Sequence, residues 1–127
     1  MQDHAQPDGP LVLVIEDDKD VREMFRDLLG DEGYRTILAT DGAEALDLAF
    51  SEAPAIILLD LGLPRLDGPG FCRAYRERAG AAPIVLVTAA DQQTVKEALA
   101  TCGAAACILK PFEIELVMDT IERFATT

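Results

Sequence analysis

The chain has 127 residues, half of them hydrophobic, and its 23 acidic and 11 basic side chains give a formal net charge of −12. This length suits one domain. So negative a charge disfavours nucleic acid and anionic membranes as partners, because both are bound by clustered lysine and arginine side chains. No apolar run approaches the roughly 20 residues that cross a bilayer. We therefore expect no direct contact with nucleic acid or membrane, and favour basic protein surfaces and divalent cations.

The N-terminal residues and the cysteines both favour a cytoplasmic protein. Residues 1–10 are polar and lack the basic and apolar regions of a signal peptide. We expect them to form a flexible arm ahead of a domain that spans residues 11–127. Cys72, Cys102 and Cys107 lie in or beside apolar segments, and none belongs to a CxxC pair. We expect three reduced thiols, with a Cys102–Cys107 pairing as the less favoured alternative.

Five short apolar runs alternate with amphipathic segments from Leu11 onward. The runs are rich in valine, isoleucine and leucine, which is typical of strands buried on both faces. The predicted strands span residues 11–15, 34–39, 55–59, 84–87 and 106–109. The predicted helices cover residues 21–29, 43–50, 70–78, 92–102 and 114–124.

Acidic residues stand where the predicted helices begin. Asp18 or Asp20 can cap the first helix, because a carboxylate oxygen accepts hydrogen bonds from first-turn amides. Asp41 and Glu44 have the spacing of a capping box, in which each side chain bonds the backbone amide of the other residue. These signals support the placement of helices directly after the strands.

Five strand–helix units with long crossovers favour parallel pairing. Helices on both faces of such a sheet give an α/β, doubly wound fold of the flavodoxin-like (βα)5 type. The natural strand order is 2-1-3-4-5. Neither a GxGxxG motif nor a GxxxxGK[ST] motif is present, so the sequence does not indicate a dinucleotide or P-loop site.

Four of the apolar runs end at residues that can handle a metal ion and a phosphoryl group. Glu16 and Asp17 follow the first run, and Asp60, Thr88 and Lys110 stand at the ends of the third, fourth and fifth. The ligand crevice of an open parallel sheet lies at the carboxyl ends of its strands. Crowded carboxylates need a cation, and oxygen ligands suit Mg²⁺ or Mn²⁺. A carboxylate can also attack phosphorus to form an aspartyl phosphate.

Each of these residues has an ordinary explanation when it is taken alone. Asp60 can cap a turn, Thr88 can be an ordinary β-branched strand residue, and Lys110 can be a solvated loop charge. An acidic cluster before a helix is favoured by the helix dipole, and Pro111 can simply start the last helix. A single site explains all four strand ends at once, and we therefore favour it.

The motifs at these strand ends resemble those of a known family. They are VIEDD at 14–18, LLDLGLPRLDG at 58–68, VTA at 87–89 and LKPF at 109–112. In this order and spacing they resemble the receiver domain of a two-component response regulator, over nearly all of the chain from Leu11 to Phe124.

The resemblance implies a role for each acidic residue. Asp60 is the expected phosphoacceptor. Asp17 is the expected direct ligand of Mg²⁺, and Glu16 is expected to bind the ion through water. The backbone carbonyl of Gly62 is a further expected ligand. With Asp60 itself, these groups form the implied metal site.

The resemblance also implies the residues that hold and sense the phosphoryl group. Thr88 and Ala89 are expected to contact it and to shift on activation. Lys110 is expected to pair with it, ahead of a cis peptide bond to Pro111. The family usually has an aromatic residue where this chain has Cys107, so we expect the output surface to switch differently or less.

The leading hypothesis is a switch that accepts a phosphoryl group from a histidine kinase or phosphotransfer protein and slowly hydrolyses it. It would turn over no external substrate, and it would act on a downstream protein or effector domain. Homodimerisation through the fourth helix, fifth strand and fifth helix is also expected. One alternative is a degenerate receiver that serves only for docking or dimerisation. A magnesium-dependent phosphatase with an aspartyl nucleophile is the less favoured one.

Overall fold

In the part of the chain that the structure describes, runs of branched aliphatic residues form five strands of one sheet, and amphipathic segments form five helices around it. The computed structural model describes residues 9–61 and 68–125. The strands are β1 (Leu11–Ile15), β2 (Arg35–Ala39), β3 (Ile56–Leu59), β4 (Ile84–Thr88) and β5 (Ala106–Leu109). The helices are α1 (Lys19–Asp31), α2 (Gly42–Glu52), α3 (Gly68–Glu77), α4 (Gln92–Cys102) and α5 (Ile114–Ala125). All bounds lie within two residues of those predicted.

The sheet is entirely parallel, with the order β2-β1-β3-β4-β5. β1 lies between β2 and β3, and its last residue, Ile15, is opposite Ala39 on one side and Leu59 on the other. The predicted flavodoxin-like fold and strand order are confirmed. This topology brings the ends of β1, β3, β4 and β5 to one edge of the sheet.

Two apolar layers cover the two faces of the sheet. Successive strand residues enter opposite layers, as the pleat requires: Leu13 and Ile15 face one layer, and Val12 and Val14 face the other. The first layer includes side chains of α2, α3 and α4, namely Ala45, Ala49, Phe71, Cys72, Tyr75, Ala98 and Cys102. The second includes side chains of α1 and α5, namely Phe25, Leu29, Val117 and Ile121. Burial on both faces explains why the strands read as continuous apolar runs.

The helix starts match the predicted caps with one shift. Asp18, rather than Asp20, caps α1 and accepts from two first-turn amides. Asp41 caps α2 and accepts from the Glu44 amide at 2.9 Å. The Glu44 carboxylate, however, accepts from the amide of Thr40 at 2.8 Å. The predicted capping box is therefore right for the Asp41 side chain and wrong for the Glu44 side chain, which bonds the amide of Thr40 and not that of Asp41.

The cysteine expectation is wrong for two of the three residues. Cys72 of α3 and Cys102 of α4 form a disulfide, with their Cα atoms 4.9 Å apart. Both are fully buried in the first layer, where α3 packs beside α4. Cys107 is free, so the alternative Cys102–Cys107 pairing is wrong as well. An apolar pattern marks a cysteine as buried but does not reveal which other cysteine faces it.

The predicted N-terminal arm lies mostly outside the described residues, which begin at Gly9. The Gly9 amide donates to the Gly33 carbonyl at 3.0 Å, and its carbonyl accepts from the Arg35 side chain at 2.9 Å. The carbonyl of Pro10 accepts from the Arg35 amide at 3.1 Å. These two residues thus pack against the start of β2. Within residues 9–61 and 68–125, no helix has the length and apolar character to cross a membrane.

Candidate metal and phosphoryl site

Three carboxylates meet where β1 and β3 end. Glu16 and Asp17 directly follow β1, and Asp60 directly follows β3. The two strand ends are held in register because the Asp60 amide donates to the Ile15 carbonyl at 3.0 Å. One carboxylate oxygen from each acidic residue lies within 4.8 Å of the other two. This arrangement, called the carboxylate cluster below (Glu16, Asp17 and Asp60), fits a single divalent cation.

Glu16 is the buried member of the cluster, with 3% of its surface exposed. One of its carboxylate oxygens accepts from Lys110 Nζ at 2.6 Å, and the other accepts from the Asp18 amide at 3.2 Å. Burial raises the pKa of Glu16, and these two hydrogen bonds offset the effect only in part. The side chain therefore has a fixed position, and a nearby positive charge is needed to stabilise its ionised form.

Lys110 supplies positive charge to the cluster from the end of β5. Its ammonium lies 2.6 Å from Glu16 Oε1 and 3.4 Å from Asp60 Oδ2. Burial would lower the pKa of Lys110, but the hydrogen bond to Glu16 and the charge of Asp60 outweigh burial and raise the pKa above its ordinary value. The side chain is thus held as a cation beside Asp60. Its backbone amide donates to the Thr88 carbonyl at 2.9 Å, which fixes it to β4.

Thr88 ends β4 and is buried, although it is polar. Its hydroxyl oxygen accepts from the Ala90 amide at 3.2 Å. A cleft of about 330 Å³ opens over this edge of the sheet. Its walls are formed by Asp60, Leu61, Thr88, Ala89, Ala90, Thr94 and Lys110. A tetrahedral oxyanion bound in this cleft would lie beside a carboxylate, a hydroxyl and an ammonium.

Most of the site residues predicted from sequence lie at this edge. The Lys110–Pro111 peptide bond is cis. Gly62, whose carbonyl was expected to bind the metal, lies outside the described residues. Thr94, in the first turn of α4, lines the cleft and was not predicted. Nothing in the local sequence singles it out, because its position depends on how α4 packs over the sheet edge.

Cys107 lies on β5, away from the carboxylate cluster, and is opposite Leu86 of β4. It is half-buried, and burial raises the pKa of its thiol. It lines a separate cleft of about 340 Å³ between α4 and β5, where Leu109 is 50% exposed. The residues of this α4–β5 cleft are Gln92, Val95, Lys96, Cys107 and Leu109. The small thiol thus forms part of the wall of an open cleft on the surface.

Comparisons with known proteins agree with this fold. Residues 12–122 match the response regulator receiver domain family, and the chain belongs to it. It is 42% identical over 104 residues to the response regulator MprA of Mycolicibacterium vanbaalenii, a match that covers 82% of this chain and 45% of that protein. The chain thus spans less than half the length of this relative.

Two solved receiver domains superpose closely on the chain. The receiver domain of the Francisella response regulator 1452 has a TM-score of 0.87 and 28% identity, covering 93% of this chain and 98% of that one. The receiver domain of the Pseudomonas aeruginosa sensor histidine kinase PA1611 has a TM-score of 0.86 and 28% identity, covering 94% and 99%. The latter structure has a magnesium ion coordinated in its active site cleft. The carboxylate cluster of this chain has the donor atoms such an ion requires.

These comparisons limit one expectation about partners. The exclusion of nucleic acid rested on the charge of this chain, and charge constrains only the surface that carries it. The MprA relative is more than twice as long as the matched region. The expectation that the protein makes no direct contact with nucleic acid is therefore not borne out.

Proposed function

We propose that this receiver domain is a phosphorylation-controlled switch that accepts a phosphoryl group on Asp60. The donor is a phosphohistidine of a histidine kinase or phosphotransfer protein. One observation supports this most strongly. Three carboxylate oxygens lie within 4.8 Å of one another, and the Lys110 ammonium lies 3.4 Å from the carboxylate of Asp60. Phosphoryl transfer depends mainly on positioning and on neutralising charge, and this set of groups serves both purposes.

The proposed reaction is an in-line displacement at phosphorus. A carboxylate oxygen of Asp60 forms the new P–O bond while the P–N bond to the donor histidine breaks. The departing imidazole keeps the bonding electron pair. Lys110 binds an oxygen of the transferred group, and the Thr88 hydroxyl exchanges its Ala90 contact for another of these oxygens. Ala89 forms the wall of the cleft beside them.

Glu16, Asp17 and Asp60 are the residues that would hold Mg²⁺, or Mn²⁺ in its place, together with the carbonyl of Gly62. The ion, when bound, neutralises the charge of the carboxylates and of the incoming phosphoryl group. Asp17 is the exposed member of the cluster and can bind the ion directly, whereas Glu16 is committed to Lys110. This division supports a direct role for Asp17 and a water-mediated one for Glu16.

The proposed output uses the surface of α4, β5 and α5. Movement of Thr88 would change the contacts at the start of α4, and through them the surface offered to a downstream protein, an effector domain or a second copy of the chain. Phosphoryl loss would be slow, because Ala90 and Gly62, two residues after Thr88 and Asp60, have no side-chain group that could orient an attacking water.

Incubation with a small acyl phosphate and Mg²⁺ tests the proposal. Intact mass spectrometry should show one added phosphoryl group in the wild type and none in Asp60→Asn. Asp47→Asn, an exposed change on α2, removes the same charge and should leave incorporation unchanged. Incorporation that persists in Asp60→Asn would contradict the assignment. Sustained turnover of a phosphate monoester would instead support the phosphatase alternative.

The docking-only alternative is favoured by one observation, which is the open α4–β5 cleft at Cys107. If this alternative holds, Asp60 accepts phosphate without consequence for the output surface. Amide exchange with and without beryllofluoride and Mg²⁺ separates the two functions. Changed exchange in α4 and β5 supports the switch, and change confined to the carboxylate cluster supports docking.

A further inference from the structure

The loop that carries the metal-binding carboxylates is held by one arginine in the first turn of α1. Arg22 Nη1 donates to the carbonyl of Glu16 at 3.0 Å and to the carbonyl of Asp17 at 2.9 Å. The backbone amide of the same residue donates to the carbonyl of Asp18 at 3.0 Å. Three consecutive carbonyls of the β1–α1 loop therefore accept hydrogen bonds from Arg22.

These contacts act on the exposed middle of the loop, between the buried Glu16 and the helix cap at Asp18. The Glu16 amide is tied to the Ala39 carbonyl at 3.1 Å, and its side chain is tied to Lys110. Asp17 is exposed, and its backbone carbonyl is held by the hydrogen bond from Arg22. A single charged nitrogen that bonds two successive carbonyls restrains the peptide plane between them, and charge-assisted hydrogen bonds are stronger than neutral ones.

We infer that Arg22 is a positioning residue for the metal site, which holds the Glu16–Asp17 backbone so that the two side chains converge on Asp60. This inference rests on the proposed Mg²⁺ function of the carboxylate cluster. Arg22 touches neither carboxylate of the pair in the described structure; it acts through their carbonyls.

The charge of Arg22 and its hydrogen bonds to the loop have opposite effects on Mg²⁺ affinity, which makes the inference testable. A guanidinium beside a cation site repels the metal, so loss of its charge alone would strengthen Mg²⁺ binding. Loss of the backbone restraint would weaken binding, because the loop must then be ordered when the ion binds. Arg22→Gln removes both contributions, and Arg22→Lys keeps the charge but not the guanidinium geometry.

The test measures Mg²⁺ affinity by isothermal titration calorimetry in wild type, Arg22→Gln, Arg22→Lys and Arg26→Gln. Arg26 lies one turn further along α1, where it is exposed and pairs with Asp27 at 3.5 Å, so its variant is a control for charge. We expect about tenfold weaker binding in Arg22→Lys, the low end of the effect for residues that support metal ligands. The loss should be smaller in Arg22→Gln, which also removes the repelling charge. Arg26→Gln should stay close to the wild-type affinity.

A second readout separates positioning from simple stabilisation. If Arg22 only stabilised the fold, its variants would melt earlier in metal-free buffer but would bind Mg²⁺ with unchanged affinity. With positioning, saturating Mg²⁺ restores the phosphorylation rate of Arg22→Gln. Equal or tighter Mg²⁺ binding by Arg22→Gln would overturn the inference and leave the proposed function intact. A wild-type protein that binds no Mg²⁺ would overturn both.

Discussion

The carboxyl edge of the sheet and the α4–β5 cleft lie in the same domain, yet the edge holds paired charged groups and the cleft is lined partly by exposed apolar ones. At the edge, Lys110 contacts both Glu16 and Asp60. In the cleft, Cys107 is small and half-buried, and Leu109 is half-exposed. The edge thus gathers charged groups around Asp60, whereas the cleft has a small side chain beside open space. We therefore expect substitutions at the edge to affect phosphorylation, and substitutions in the cleft to affect the output surface.

The largest effect is expected when the positive charge of Lys110 is removed. Lys110→Met should lower the phosphorylation rate by about 100-fold, because the ammonium that stabilises the transferred phosphoryl group is lost. Mg²⁺ affinity should stay equal or rise, since a repelling charge has gone. Rates with a small acyl phosphate provide the measurement, and Lys96→Met in the α4–β5 cleft is the control. A similar loss of rate in both variants would contradict the view that phosphorylation depends on the edge and not on the cleft.

The next effect concerns the disulfide between α3 and α4. A cross-link that closes a loop with a sequence separation of 30 restricts the unfolded chain, so reduction should lower the free energy of unfolding by about 3–4 kcal/mol. Urea unfolding with and without dithiothreitol measures this difference. Cys107→Ala should respond to the reductant like wild type, and a variant with Cys72→Ala and Cys102→Ala should not respond. An equal free energy of unfolding of the wild type with and without dithiothreitol would contradict the cross-link.

A smaller effect is expected when an aromatic ring is placed in the α4–β5 cleft. Cys107→Tyr should change the free energy of unfolding by at most about 3 kcal/mol, because the ring has open space beside it. Phosphorylation at Asp60 should keep its rate, while the change in α4 and β5 amide exchange on phosphorylation should increase. Cys107→Ser serves as the control for loss of the thiol. A large fall in rate would show that the two regions are coupled.

The smallest effect is expected at the start of α4. The Asp91 carboxylate accepts from the Thr94 amide at 2.8 Å, and this bond lowers its pKa. A lowered pKa in the folded state means that the cap stabilises α4 above the ordinary aspartate pKa and is lost as the pH falls through the lowered value. The protection of first-turn amides, taken relative to their intrinsic exchange rates, should therefore fall in acid. Asp91→Asn keeps a capping oxygen at every pH and should remove this dependence; an unchanged acid response would contradict the assignment.

Much of the fold was predictable because its signals are local. Apolar runs such as Leu11–Ile15 marked strands, and Asp18 and Asp91 marked helix starts, since both depend on neighbouring residues. The convergence of Asp60 and Lys110 followed from strand order, which fixes the residues that end at one sheet edge. The family resemblance added the separate expectations for metal and phosphoryl contacts.

The features that sequence missed depend on side chains that meet across elements. The pairing of Cys72 with Cys102 requires the packing of α3 against α4, which hydrophobic periodicity does not encode. Arg22 has a long side chain that can turn to solvent or back to the loop, and only the folded loop decides between the two. Glu44 reaches Thr40 instead of Asp41 because the backbone at the helix start presents that amide to it.

The central claim is that the phosphoryl group is carried by Asp60 at the carboxyl edge of the sheet. Borohydride reduces an aspartyl phosphate to homoserine, which marks the modified position permanently. Peptide mass mapping after phosphorylation with Mg²⁺ and reduction should find homoserine at residue 60. Unmodified Asp60 in protein that carries a phosphoryl group, or homoserine at another aspartate, would contradict the account.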